Sequence, residues 1–198
     1  MIINAKDITM SYPKSKRIVL KDVNLSIDKG EFVVINGVSG SGKSTLLAIL
    51  GGYLKPVKGN VIFRGKNIGY VPQGNIMLKK YNILENLIVP LNAQKGSSKE
   101  KVLIKKAHKH LQKLRIDDLS KNYPNELSGG ELKRVSLARA MMLEADLILA
   151  DEPTTGLDSE SSKLINDYLK EYSNEGNTVI VATHDKICNG YASRIITL

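Results

Sequence analysis

A single cysteine, Cys188, in 198 residues leaves nothing for an internal disulfide and no basis for a multi-cysteine metal cage. A buried, inert thiol is the expectation there. Long apolar stretches are missing too: no run approaches the ~18 residues that cross a bilayer as a helix. The opening Met1–Asp7 lacks the charged-then-apolar layout of a secretory leader. A cytoplasmic protein that does not cross a membrane alone is therefore expected. Repeats, low-complexity tracts and clear linkers are also absent. What remains is ordinary for one globular domain with a substantial core: 42% hydrophobic and 25% charged residues.

The charge is unbalanced, with 29 Lys plus Arg against 20 Asp plus Glu, a net +9. Such a surface suits nucleic acid, anionic lipid or a polyanion such as ATP, and does not choose among them. The densest stretch, Lys99 to Lys113, mixes Lys, His and apolar residues at helical spacing, which reads as a solvated helix face. His108 and His110 within it have no partners at metal spacing and read as helix-surface residues.

Along the chain, short strands come first: Ile2-Ile3, Ile18–Leu20 and Val23–Ile27. Glu31–Asn36 carries four consecutive apolar residues, the pattern of a strand buried on both faces. A glycine-rich stretch follows, then a helix from Lys43 to about Leu50 that Gly51-Gly52 ends. Val61–Phe63 and Ile68–Val71 are further strands. From Ile83 to about Ile116 the period is helical, with a break at Gly96-Ser97-Ser98. After Ser128-Gly129-Gly130 an amphipathic helix runs from Glu131 to about Leu143. Two more buried strands, Leu147–Ala150 and Thr178–Ala182, flank a helix around Ser159 to Tyr172. Buried strands alternating with helices predict a parallel sheet with right-handed crossovers, an α/β class fold. The helical middle, about 83–130, reads as an insertion into one domain spanning 1–198.

Gly37 to Ser44 satisfies G-x-x-x-x-G-K-[ST] between a buried strand and a helix, where the phosphate-binding motif belongs. Glycines let the backbone wrap a phosphate and turn N–H groups inward, and the helix adds its positive N-terminal end. Lys43 is expected on an exposed loop, its charge compensated only by the ligand. The Ser44 hydroxyl is placed to ligate Mg²⁺. Leu147–Ala150 then delivers two acids, Asp151 and Glu152, at a strand's C-terminal end, where ligands bind in open α/β sheets. Asp151 suits Mg²⁺, and Glu152 suits orienting or deprotonating a water that attacks the γ-phosphate.

Leu127-Ser128-Gly129-Gly130-Glu131, upstream of Asp151, resembles the signature of ATP-binding-cassette (ABC) ATPases. The resemblance spans residues 1 to about 195. It implies a P-loop NTPase fold with a RecA-like parallel core, an N-terminal antiparallel β subdomain and an inserted helical subdomain. It implies ATP and Mg²⁺ as cofactors. ATP would be held by Gly37, Ser39, Gly40, Ser41, Gly42, Lys43, Ser44 and Thr45, with Tyr12 stacking on adenine. Ser44, Gln73 and Asp151 would hold the metal. Glu152 and His184 would be catalytic, and Asp158 would communicate between subunits. Ser128, Gly129 and Gly130 would close on the ATP of a second, head-to-tail copy.

The same resemblance implies a separate transmembrane permease, with no nucleic acid as partner, and a place on the inner face of the membrane through that permease. The permease would dock just after Gln73, around Lys79 to Glu85. The segment Tyr81–Leu91 and the Val181–Asp185 end look like the macrolide-efflux, lipoprotein-release and antimicrobial-peptide branch, so export outranks import. Lys66-Asn67 runs directly into Ile68, where many relatives carry a further stretch, so this is a compact cassette. Two rivals remain: a cassette protein acting on nucleic acid or ribosomes, and a nucleotide-binding module without turnover. Relatives of the first kind carry two cassettes or a long coiled-coil insertion, and Glu152 with His184 argue against the second.

Overall fold

The computed structural model describes residues 1–12, 17–92 and 100–198. Two sheets share one central helix. β1 (Ile3–Ser11), β2 (Ile18–Ile27) and β4 (Lys58–Phe63) form an antiparallel sheet in the order β2-β1-β4. β3 (Phe32–Asn36), β5 (Ile68–Val71), β6 (Leu147–Asp151), β7 (Thr178–Thr183) and β8 (Arg194–Thr197) form a parallel sheet in the order β5-β6-β7-β3-β8. The helices are α1 (Lys43–Leu50), α2 (Ile83–Asn92), α3 (Glu100–Lys113), α4 (Gly129–Met141) and α5 (Ser159–Asn174).

The apolar runs of β3, β6 and β7 are buried on both faces because successive side chains alternate between two cores. Val33, Ile35, Leu147, Leu149 and Ile180 join Leu46, Leu47 and Leu50 of α1 and the inner face of the antiparallel sheet, with Ile3, Ile8 and Ile27. Phe32, Val34, Ile148, Ala150, Val179 and Val181 join Val135 and Leu137 of α4 and Ile165 and Leu169 of α5. Burying Cys188 in the second core pushes its thiol up to about 12, which keeps it protonated and unreactive.

Strand β1 runs well beyond the Ile2-Ile3 that periodicity indicates. Its alternation is broken at Lys6-Asp7, where the register shifts against both neighbours and Asp7 takes φ +53. β8 is a four-residue edge strand with three exposed positions, and its sequence carries no alternation strong enough to announce it. Helix α4 starts two residues before the expected Glu131, because the first turn needs no intrahelical N–H partners and tolerates Gly129-Gly130. The expected break at Gly96-Ser97-Ser98 lies outside the described residues.

The two α3 histidines are not bare surface residues. His108 Nδ1 lies 2.6 Å from Asp117 Oδ1, and His110 is half-buried with its Nδ1 hydrogen-bonded to the Tyr168 hydroxyl. Burial, helped by Lys106, Lys109 and Lys113 and opposed by Glu144, lowers the His110 pKa to about 4. The unfolded chain therefore binds a proton that the folded chain refuses as pH falls from 6.5 toward 4. Stability should drop across that window by about 3 kcal/mol. Urea unfolding at stepped pH checks this: His110→Gln should flatten the slope, and an unchanged slope would remove His110 as its cause.

Candidate active site

The C-terminal end of β3 opens into the loop Gly37–Gly42, and α1 begins at Lys43. Gly42 takes φ +102, and a Cβ there would meet Leu20 Cδ2 at 2.9 Å and Val19 Cγ1 at 3.0 Å. No side chain fits that turn, so the backbone can approach a ligand closely. A cavity of about 650 Å³ lies against the loop. Its walls bring together Tyr12, Ser39, Gly40, Gly42, Lys43, Ser44, Thr45, Gln73, Glu152 and His184, residues scattered over the whole sequence, with Val19 and Val38 beside them. The Tyr12 hydroxyl lies 3.1 Å from Thr45 Oγ1, which ties the exposed aromatic ring to the first turn of α1. Gly37 and Ser41 shape the loop from behind: a Cβ on Gly37 would sit 2.4 Å from Ser41 Oγ.

Lys43 departs from the exposed, uncompensated cation that the sequence suggests. It is 7% exposed. Its Nζ donates to Gly37 O at 2.8 Å and Val38 O at 3.2 Å, and lies 3.8 Å from Glu152 Oε1. The loop folds over its own lysine because a buried ammonium must find acceptors.

β6 delivers the two acids in different environments. Burial pushes the Asp151 carboxyl above its ordinary range against a hydrogen bond with Ser44; the Glu152 charge adds to the rise and Lys43 opposes it. Among the described residues, Asp151 Oδ1 is buried with no hydrogen-bond partner. Asp151 does not itself line the cavity, but its orphaned oxygen beside the Ser44 hydroxyl, which lines the cavity with Gln73, makes a hard oxygen donor set that fits Mg²⁺.

Glu152 is buried in a left-handed backbone conformation, φ +49. Its Oε1 lies 2.9 Å from His184 Nδ1. Its Oε2 accepts from Thr155 Oγ1 at 2.8 Å and Thr183 Oγ1 at 3.0 Å. Burial acts to raise its pKa, but the bonds from His184, Thr155 and Thr183 outweigh it and hold the carboxyl below its ordinary value. A carboxylate only accepts, so His184 must carry its hydrogen on Nδ1, leaving Nε2 as the ring's free acceptor when neutral. Sequence reading missed both threonines. Thr183 is adjacent to His184, but only the parallel pairing Asp151↔Ala182 brings it to Glu152.

The Ser128 turn is elsewhere on the chain: Ser128, Gly129 and Gly130 do not line this cavity. Ser128 caps α4 through a reciprocal box, with Glu131 N donating to its Oγ and Glu131 Oε2 accepting from Ser128 N and Oγ at 2.7 Å. Those bonds hold the Glu131 carboxyl below its ordinary range. Asp158 caps α5, accepting from Ser161 N and Ser161 Oγ, both at 2.8 Å.

A parallel sheet that feeds a glycine-rich cradle from one strand and faces it with two carboxylates from another is the fold of a P-loop ATPase. The ABC transporter family model matches residues 20–155. The chain is 38% identical to the lipoprotein-releasing system ATP-binding protein LolD of Francisella tularensis, over 94% of this chain and 88% of LolD. It is 35% identical to the putative hemin import ATP-binding protein HrtA of Staphylococcus haemolyticus, over 100% of this chain and 97% of HrtA. The dimeric post-hydrolysis structure of the ATP-binding cassette MJ0796, bound to ADP and Pi, superposes with a TM-score of 0.92 at 35% identity, covering 99% of this chain and 94% of that one. The chain belongs to the ABC transporter family. It is an ATP-binding, ATP-hydrolysing transporter subunit, and among the described residues no helix is long and apolar enough to cross a membrane.

Proposed function

We infer that the chain powers a separate transmembrane permease from the inner face of the membrane, in the direction of export, by closing as a head-to-tail homodimer on two ATP molecules. The observation that carries this is the separation of two anion cradles on one chain. The Gly37–Ser44 loop opens on the cavity, whereas the exposed Ser128 turn, a capped helix N-terminus, lies off that cavity. A second copy related by a two-fold axis would complete both sites at once.

In this reading adenine lies on Tyr12, and the triphosphate in the cradle draws Lys43 away from the Gly37 and Val38 carbonyls. Ser44, Asp151 and Gln73 would hold Mg²⁺, which neutralises phosphate charge when bound. Glu152, aimed by Thr155 and Thr183, takes one proton of the attacking water, while His184 holds the other carboxylate oxygen through Nδ1–H and its Nε2 accepts from the same water beside the γ-phosphate. The Ser128 hydroxyl must leave Glu131 to donate to the partner's nucleotide.

The helical segment of about 83–130 is the inserted subdomain, and beside it a groove of about 420 Å³ lined by Asn75, Met77, Lys79, Pro124, Asn125 and Leu132 supports permease docking just after Gln73. Exposed Ile76, Leu78 and Tyr81 add apolar surface there. Glu85 has a different part: its Oε2 accepts from Asn82 N and its N–H donates to Asn82 Oδ1, both at 2.8 Å. Reversing its charge would cost α2 its start, so that residue cannot report coupling alone. Export is supported by the likeness of Tyr81–Leu91 to the efflux and lipoprotein-release branch, and LolD and HrtA bear names of opposite sense. Inside-out vesicles carrying the co-purified permease test direction, since an exporter loads them with labelled macrolide or antimicrobial peptide when ATP is outside.

Ser128→Arg tests the sandwich. It places bulk and positive charge where the partner's phosphates would sit. ATP binding to the single chain should persist, while the ATP-dependent dimer is lost in sedimentation velocity. A tight dimer that needs no nucleotide would overturn the arrangement.

A further inference from the structure

Helix α4 connects the Ser128 turn to the segment that follows Glu152, through three residues in its first two turns. Gly130 packs closely on Leu157, whose Cδ2 lies 3.1 Å from where a Cβ would be. Lys133 Nζ donates to Glu152 O at 3.0 Å and to Thr155 O at 2.5 Å. Arg134 Nη1 donates to Ser161 Oγ at 3.1 Å, and Ser161 is the residue that Asp158 caps. The segment from Glu152 to Ser161 in the first turn of α5 is thus held at several points by the helix that Ser128 begins.

Lys133 has the most consequential of these contacts. Glu152 sits in a backbone conformation that non-glycine residues rarely adopt, and such a residue persists only where its surroundings over-determine it. One half-buried ammonium bonding both the Glu152 carbonyl and the Thr155 carbonyl does this. It fixes the residue carrying the carboxylate and the residue whose hydroxyl aims it. Burial pushes the Lys133 pKa down, against the charge of Glu152, so the ammonium is desolvated and depends on those two acceptors.

We propose that Lys133 is a positioning residue which transmits closure of the Ser128 turn on the partner's nucleotide to the chain's own Glu152, so that each ATP site in the dimer senses occupancy of the other. The inference rests on the dimer reading above. Ser128 serves one site and Glu152 the other; helix α4, which Ser128 caps, carries Lys133 to the Glu152 and Thr155 carbonyls within a single chain.

The test is ATP turnover by the full chain, alone and with its co-purified permease, as a function of ATP concentration. Lys133→Met keeps the aliphatic stem and removes the donor. It is expected to lower kcat by about 10- to 100-fold, as misplacement of a catalytic group does. It should leave single-chain ATP affinity unchanged and reduce the Hill coefficient toward the non-cooperative value. Lys133→Arg, which retains donors on a long stem, is expected to recover most of kcat and the cooperativity. Cooperative wild-type turnover with an unaltered Lys133→Met variant overturns this inference alone. Non-cooperative wild-type turnover that Ser128→Arg does not change overturns the dimer reading and this inference together. A drop in melting temperature with weakened single-chain ATP binding in both Lys133 variants overturns it in favour of a structural role.

Discussion

Glu152→Gln should cut ATP turnover by about 10²-fold or more, the scale of losing a positioned general base, while ATP affinity holds or rises. The geometry says where the loss arises. The glutamine oxygen can take the Oε2 place and still accept from Thr155 and Thr183. Its amide nitrogen then faces His184 Nδ1 and the Lys43 ammonium, where Glu152 Oε1 had been. The side chain stays in place, but it accepts no proton, and His184 must exchange tautomer or turn away. Removing the negative charge also removes repulsion against the triphosphate, so uncleaved ATP should accumulate in a dimer visible by size exclusion. Near-normal phosphate release by this variant would place water activation elsewhere. The same substitution should flatten acid sensitivity. A carboxyl whose folded pKa lies below its unfolded value stabilises the fold above that unfolded value, and the contribution is lost as pH falls through the folded one.

Lys43→Ala should weaken ATP binding by at least about 30-fold, because truncating one member of a desolvated charge pair costs about 2–5 kcal/mol. The burial of this lysine adds a second effect. Without it, Gly37 O and Val38 O lose their donor, and Glu152 loses a cation at 3.8 Å. Unfolding free energy should fall by about 1–3 kcal/mol, the usual cost of orphaned hydrogen-bonding groups. Equilibrium dialysis with labelled ATP, run below the variant's melting temperature, separates the two effects. Wild-type affinity in the folded variant would remove Lys43 from the phosphate site.

The sequence by itself determined what is local. Gly37–Ser44 is legible because a phosphate cradle is built from contiguous backbone, and steric limits at a turn such as Gly42 admit one residue type. The strands around Val33–Ile35, Leu147–Ala150 and Thr178–Ala182 are legible because burial on both faces demands unbroken apolar runs. The Ser128 and Asp158 caps sit where side-chain chemistry at a helix start requires them. Tertiary structure decided everything that depends on which strands become neighbours. Pairing β6 with β7 sets Thr183 and His184 against Glu152. Packing α4 beneath the β6 end sends Lys133 to Glu152 and Thr155. The antiparallel sheet closing over α1 brings Tyr12 to Thr45. Folding the cradle onto itself turns Lys43 from a free cation into a buried donor, and packing α3 on α5 joins His110 to Tyr168. No sequence period encodes these contacts, because hydrogen bonds and desolvation act over a few ångströms in space between residues far apart along the chain.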